Sequence, residues 1–135
     1  MTLVEVAVAL AVAGLAVTAI VNGYMFCVNS AEKSALSLAA NARANARLEE
    51  IRSARWDTAS VPAVDQVVTT NFPDQVVILD LSGSGTNVTY ATNFTQISQI
   101  SVAPPLKRIH IDCIWSFKNG RLITNTIETC RAPDQ

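Results

Sequence analysis

The stretch MTLVEVAVALAVAGLAVTAIVNGYMFCV, residues 1–28, decides how the rest of the chain is read. Its clearly polar side chains are Thr2, Glu5, Thr18 and Asn22, and from Val6 to Ala31 nothing ionisable occurs except Tyr24 and Cys27. At about 1.5 Å per residue the run is long enough, as a helix, to cross a hydrocarbon layer of about 30 Å. A secretory signal peptide would open with Lys or Arg and carry a shorter apolar stretch, and neither holds here. A membrane-spanning or filament-core helix over 1–28 is expected.

Glu5 is the anomaly in that run. An ionised carboxylate in a lipid-facing helix costs at least about 2.5 kcal/mol and calls for a cationic partner. Lys33 is the nearest basic side chain in the chain, about 40 Å away along an unbroken helix. The partner is therefore expected to be another molecule or the amine of Met1; the simpler reading leaves Glu5 at the membrane interface, near the chain end.

Outward from this stretch, Val28, Ala31, Ala35, Leu38, Ala42 and Ala46 recur at spacings of three and four, which predicts an amphipathic continuation of the helix through 29–56. Lys33, Arg43, Arg47, Glu49, Glu50, Arg52 and Arg55 supply its solvated face, with opposite charges at helical spacing such as Glu49 and Arg52. Gln, Pro and Gly are absent between Asn29 and Ser60. One helix over about 1–54 is the result, far longer than the globular mean of about 12 residues. Gly14 and the Asn22-Gly23 pair are its weak points.

After Trp56 the composition shifts. Of the 44 residues from Ser60 to Ala103, 18 are Ser, Thr, Asn or Gln, and no Lys or Arg lies between Arg55 and Lys107. Residues 57–135 are expected to form a β-rich head, with strands at Gln66–Thr70, Gln75–Leu81, Asn87–Thr92 and Gln96–Val102, the last ended by Pro104-Pro105. The strongest β signal runs from Leu106 to Thr129 across Lys118-Asn119-Gly120. A three-residue loop with Gly120 left-handed sets Trp115 opposite Ile123 and Ile111 opposite Ile127. That register gathers Ile109, Ile111, Cys113, Trp115, Ile123 and Ile127 on one apolar face, which is expected to pack on the outer half of the helix. The fold class is therefore α+β, a long N-terminal helix with its outer half on a small antiparallel sheet.

The opening Met1-Thr2-Leu3-Val4-Glu5-Val6 with the Ala/Val/Leu run behind it resembles the start of a mature type IV pilin or type II secretion pseudopilin, after prepilin peptidase has removed a short basic leader. The likeness covers about the first 50 residues. It implies a methylated Met1, subunit assembly at Met1, Thr2 and Glu5 with the Glu5 carboxylate paired to a neighbouring N-terminal amine, and local unwinding between Gly14, Asn22 and Gly23 in the filament. The family's usual Pro at position 22 is Asn22 here. The partners implied are further copies of the chain in a helical filament, the inner membrane before assembly, and the peptidase and assembly machinery. A surface pilus subunit, a minor pilin and a periplasmic pseudopilin are the alternatives within that class; a monomeric membrane-anchored binding module is the alternative outside it.

No catalytic constellation is expected. Half of the chain is apolar, 16% is charged and the net charge is -1, which excludes a disordered chain and offers no footprint for a nucleic acid. The single His110 alternates with Ile109 and Ile111 and reads as an outward strand residue. No metal spacing is present; Asp74 and Asp80 beside Ser82-Gly83-Ser84-Gly85 follow no calcium-loop pattern, and no cofactor is expected. Asn87-Val88-Thr89 and Asn93-Phe94-Thr95 match the glycosylation sequon. An oxidising compartment makes Cys113 with Cys130 the first disulfide to consider, although strand register opposes it; a bridge using Cys27, or free thiols, are the other outcomes.

Overall fold

The computed structural model describes residues 2–80 and 88–134, and the chain divides into two compact units, residues 1–35 and 36–135. The first unit is all helix. The second unit takes in the helix from Leu36 onward.

Helix α1 spans Leu3–Ser53, 51 residues, within two residues of the expected 1–54. Ala, Leu, Val and straight-chain residues fill it, and Arg52 sits in its last turn, where a cation suits the negative end of the helix dipole. The helix of the single chain is unbroken at Gly14, Asn22 and Gly23; the unwinding that the resemblance implies concerns the assembled filament. Each Gly costs about 1 kcal/mol relative to Ala, too little to interrupt a helix of good formers on both sides. Thr18 Oγ1 donates to the Gly14 carbonyl at 2.8 Å, adding a second bond at the first weak point.

In the second unit, β1 (Trp56–Asp57) and β2 (Val64–Asp65) form a two-residue ladder. Strands β3 (Gln75–Ile78), β4 (Tyr90–Val102), β5 (Pro105–Phe117) and β6 (Arg121–Arg131) form an antiparallel sheet in that order. The expected β5–β6 register is found: Trp115 pairs with Ile123 and Ile111 with Ile127. The loop Lys118-Asn119-Gly120 carries two left-handed residues, Asn119 at φ 65° and Gly120 at φ 72°, the conformation that Asn and Gly tolerate best.

Three strand expectations are corrected. Gln66–Thr70 is not a strand: the Asp65 carboxylate accepts from the Val67 amide at 3.1 Å and turns the chain there, and a 3₁₀ turn follows at Thr69–Asn71. The described strand part of the predicted Asn87–Thr92, from Tyr90 onward, and the predicted Gln96–Val102 belong to the single β4, because Asn93 and Thr95 point into the core instead of closing a turn. Pro104-Pro105 does not merely stop a strand. Val102 pairs with Pro105 around a two-residue connection, and Pro105 opens β5, a position where a missing amide is tolerated. Residues 81–87, with the Gly-Ser loop and Asn87, lie outside the described residues.

The core joins Ala40, Ala44, Leu48 and Ile51 of α1 to Trp56, Val67, Phe72, Leu79, Ala91, Ile109, Ile111, Cys113 and Trp115. The sheet face is the expected one, with Ile123 and Ile127 partly buried at its β6 side. The helix face is not. Leu38, Ala42 and Ala46 are exposed, and Arg47, expected in solvent, is buried. The helix presents the stripe containing Leu48 and Ile51, whose larger side chains fill more of the core than Ala42 and Ala46 could.

Candidate functional site

At the N-terminus the side chain of Glu5 is used within its own helix. The Thr2 amide donates to Glu5 Oε2 at 2.8 Å, and the Glu5 amide donates to Thr2 Oγ1 at 3.4 Å. Thr2 Oγ1 also lies 3.3 Å from Glu5 Oε2. This reciprocal pair is a capping box: two amides at the start of α1, which lack intrahelical partners, are satisfied by side chains three residues apart. The Thr-x-x-Glu spacing at Thr2 and Glu5 is the sequence signal of this cap. Met1, expected to be methylated and to take part in assembly, lies outside the described residues.

Beyond that box the first unit is an exposed apolar surface. Leu3, Leu10, Leu15 and Phe26 are between 69% and 87% exposed, and α1 is long and apolar enough to cross a membrane. Nothing lies within 4 Å of a Cβ placed at Gly14 or Gly23, so both are open to a neighbour.

In the second unit, polar side chains fasten α1 to the head. Asn125, inward on β6, accepts from Trp115 Nε1 at 2.8 Å and donates to Ser37 Oγ at 2.9 Å and to Asn41 Oδ1 at 3.1 Å. This bond set gives a second reason for the observed helix face, since it requires Ser37 and Asn41 to point at the sheet. Arg47 donates to Glu50 at 2.6 Å and to the Pro73 carbonyl at 2.6 Å, with its guanidinium 5.3 Å from the centre of the Phe72 ring. At the helix end Arg131 donates to the carbonyls of Ile51 at 2.8 Å, which also accepts from the Ala54 amide, and of Ala54 at 2.7 Å. Buried Lys107 is satisfied by Asp65 and by the Val67 carbonyl at 2.6 Å, over the Trp56 ring. Sequence periodicity places such residues on an element but carries no signal for these cross-element partners.

The outward sheet face holds a cluster of titratable side chains around His110. His110 lies outward, as its alternation predicted, with Glu128 across on β6 and Asp112 two residues along β5. Gln96, Ser98, Arg108, His110 and Glu128 line a shallow cleft of about 340 Å³. Hydrogen bonds to Glu128 first, and to Asp112, hold the imidazole above its ordinary pKa against a smaller opposing effect of burial. Among the described residues no three His, Cys, Asp or Glu side chains form a metal-sized group.

The disulfide considered first, Cys113 with Cys130, is not found. All three cysteines are free. Cys113 faces the core opposite Asn125, while Cys130 faces outward opposite Arg108, so a Cys113–Cys130 bridge is prevented by both register and facing. Burial pushes the Cys113 thiol up. Cys27 is exposed and unpaired. Asn93 is 1% exposed and inward on β4, so its sequon is closed to a glycan.

No family model, curated protein or solved structure matches this chain. What its residues and geometry define is an α+β protein with pilin-like element order, a long N-terminal helix followed by antiparallel sheets.

Proposed function

We propose that the chain is a structural subunit of a type IV pilus-like filament, held in a membrane by the first part of α1 and then assembled through that helix. The observation that carries this reading is the exposed run from Val6 to Ala31, without a charge, behind a single carboxylate at position 5. Such a surface has two stable environments, lipid or a bundle of like helices. Ala7, Ala9, Ala11, Ala13, Gly14 and Ala16 allow close helix approach, and the outward Ala35, Leu38 and Ala42 extend an apolar side that the head leaves unused. In a bundle the Glu5 carboxylate pairs with the N-terminal amine of an adjacent copy, because either charge alone in an apolar interior costs several kcal/mol. The head is presented outward, for adhesion, surface motility, DNA uptake or, in a pseudopilus, secretion.

The capping box favours a second reading. It satisfies Glu5 inside one chain, which is what a monomeric membrane-anchored binding module requires. Glu5→Gln separates the two, since Gln serves in a capping box but carries no charge. The filament reading expects membrane insertion at the normal level and no filaments in negative-stain images of sheared cell surfaces. Normal filaments from Glu5→Gln would leave capping as the whole role of Glu5. A monomeric protein whose N-terminus proves unmethylated by mass measurement turns the assignment to the anchored module.

A further inference from the structure

His110 stands on the outer sheet face with a carboxylate at each ring nitrogen: Glu128 Oε2 is 3.1 Å from Nδ1 and Asp112 Oδ2 is 3.2 Å from Nε2. A neutral imidazole has one N–H and one lone pair, so it can satisfy one of these contacts and must turn its lone pair on the other. Only the imidazolium donates to both. The other oxygen of Asp112 accepts from Thr126 Oγ1, and the other oxygen of Glu128 lies 3.8 Å from Arg108. The groups around the ring are Arg108 and Asp112 on β5, Glu128 and Thr126 on β6 with Cys130 opposite Arg108, and uncharged Gln96 and Ser98 on β4.

The placement of this cluster gives it leverage. Alternation along β6 puts Thr126 and Glu128 outward and Asn125 and Arg131 inward. The inward pair are the residues that hold α1, through Ser37 and Asn41 at one end and the carbonyls of Ile51 and Ala54 at the other. Strand β6 is also an outer strand of the sheet, paired on one side only, to β5. Its attachment to β5 therefore governs both helix fastenings.

We propose that His110 is a proton-operated latch on β6: as the imidazolium it ties β6 to β5 across the outer face, and on losing its proton it lets β6 open more often, together with the Asn125 and Arg131 fastenings of α1. The direction follows from linkage. Both carboxylates raise the folded-state pKa of His110 above the ordinary value near 6.5, so the stability it adds is complete below that ordinary value and is lost as pH rises through the higher folded one. The imidazole is half-exposed and screened by water, which makes the latch a modest one, suited to biasing an opening equilibrium.

Hydrogen exchange on the full chain in detergent micelles, corrected for intrinsic amide chemistry, tests this. Between about pH 5.5 and about pH 8.5 the protection of the β6 amides from Asn125 to Arg131 is expected to fall about five-fold, with the β3–β4 amides unchanged within about two-fold. In His110→Gln, which cannot titrate, the β6 pH dependence is expected to vanish. Equal wild-type protection at both pH values overturns the latch, as does an undiminished loss in His110→Gln. A direct NMR titration of the His110 ring needs no variant: a midpoint above the ordinary histidine value supports the latch, and one at or below it overturns the two-carboxylate geometry.

Discussion

Residues 3–35 and 36–53 belong to one helix and obey the same backbone rules, yet they are sustained by different physics. The first stretch has no buried residue, its order resting on helix propensity and a capped start. The second gives a stripe to a core in which Ala40, Ala44 and Ile51 are fully buried, and it is fixed further by Asn125, Arg47 and Arg131. The lesson is that continuity of secondary structure says nothing about what a segment is for. The first stretch keeps its large apolar side chains exposed, whereas the second gives its apolar stripe to the core.

The sharpest way to break this contrast is to truncate a large side chain in each stretch's surroundings. Trp115→Ala removes a side chain 1% exposed and its bond to Asn125, and the head is expected to lose about 3–5 kcal/mol in urea unfolding. Leu10→Ala should leave head unfolding within about 0.5 kcal/mol of wild type. Comparable losses from both would show that the exposed stretch stabilises the head.

A smaller effect separates two arginines one turn or so apart on α1. Arg47→Ala leaves the Pro73 carbonyl without its donor, uncovers Phe72 and is expected to cost about 2–3 kcal/mol in the same measurement. Arg52, exposed and paired only with Glu49 among the described contacts, should cost under about 0.5 kcal/mol when changed to Ala.

In the first stretch the tests are of local helix stability. Thr2→Ala should loosen the first turn by about 1 kcal/mol, read as faster amide exchange at Leu3 to Glu5, while Glu5→Gln leaves it nearly unchanged. Gly14→Ala and Gly23→Ala meet open space and should each strengthen the helix by about 0.5–1 kcal/mol in exchange protection. If filament assembly requires unwinding there, these two variants assemble more slowly; unchanged assembly kinetics would mean that the helix stays intact throughout.

The smallest expected effect is an acid one. Asp57, held low by Arg55 and by the Ala59 and Ser60 amides, and Asp134, held low by the Trp56 amide and Arg131, both lie below the ordinary carboxylate value. A depressed folded pKa adds stability that is present above the unfolded value and lost as pH falls through the folded one. Head stability should therefore decline on acidification below about pH 4, and Asp134→Asn should flatten that limb. An unchanged acid limb would show that these exposed carboxylates are fully screened.

Much of the architecture was legible in the residues. The charge gap from Val6 to Ala31, the helix end near Ala54 and the β5–β6 register all follow from periods of 3.6 and 2, which are properties of a single strand or helix. Asp65 broke an expected strand through a side-chain turn that competes locally with the ladder, and the Thr2–Glu5 box follows from Thr-x-x-Glu spacing alone. The face that α1 turns to the head was misjudged because two stripes of similar apolar spacing coexist from Leu36 to Ile51, and periodicity cannot rank them.

The amino-acid order was sufficient for an exposed apolar helix, its carboxylate at position 5 and an alternating antiparallel hairpin, since each depends on neighbours a few residues away. Tertiary structure alone decided which helix stripe is buried, that Arg47 and Lys107 are buried and satisfied, that the cysteines stay apart, and that His110 lies between two acids. Those outcomes depend on atoms brought together from elements far apart in the chain, where shape filling and the cost of an unpaired buried polar group choose among arrangements that local pattern leaves equal.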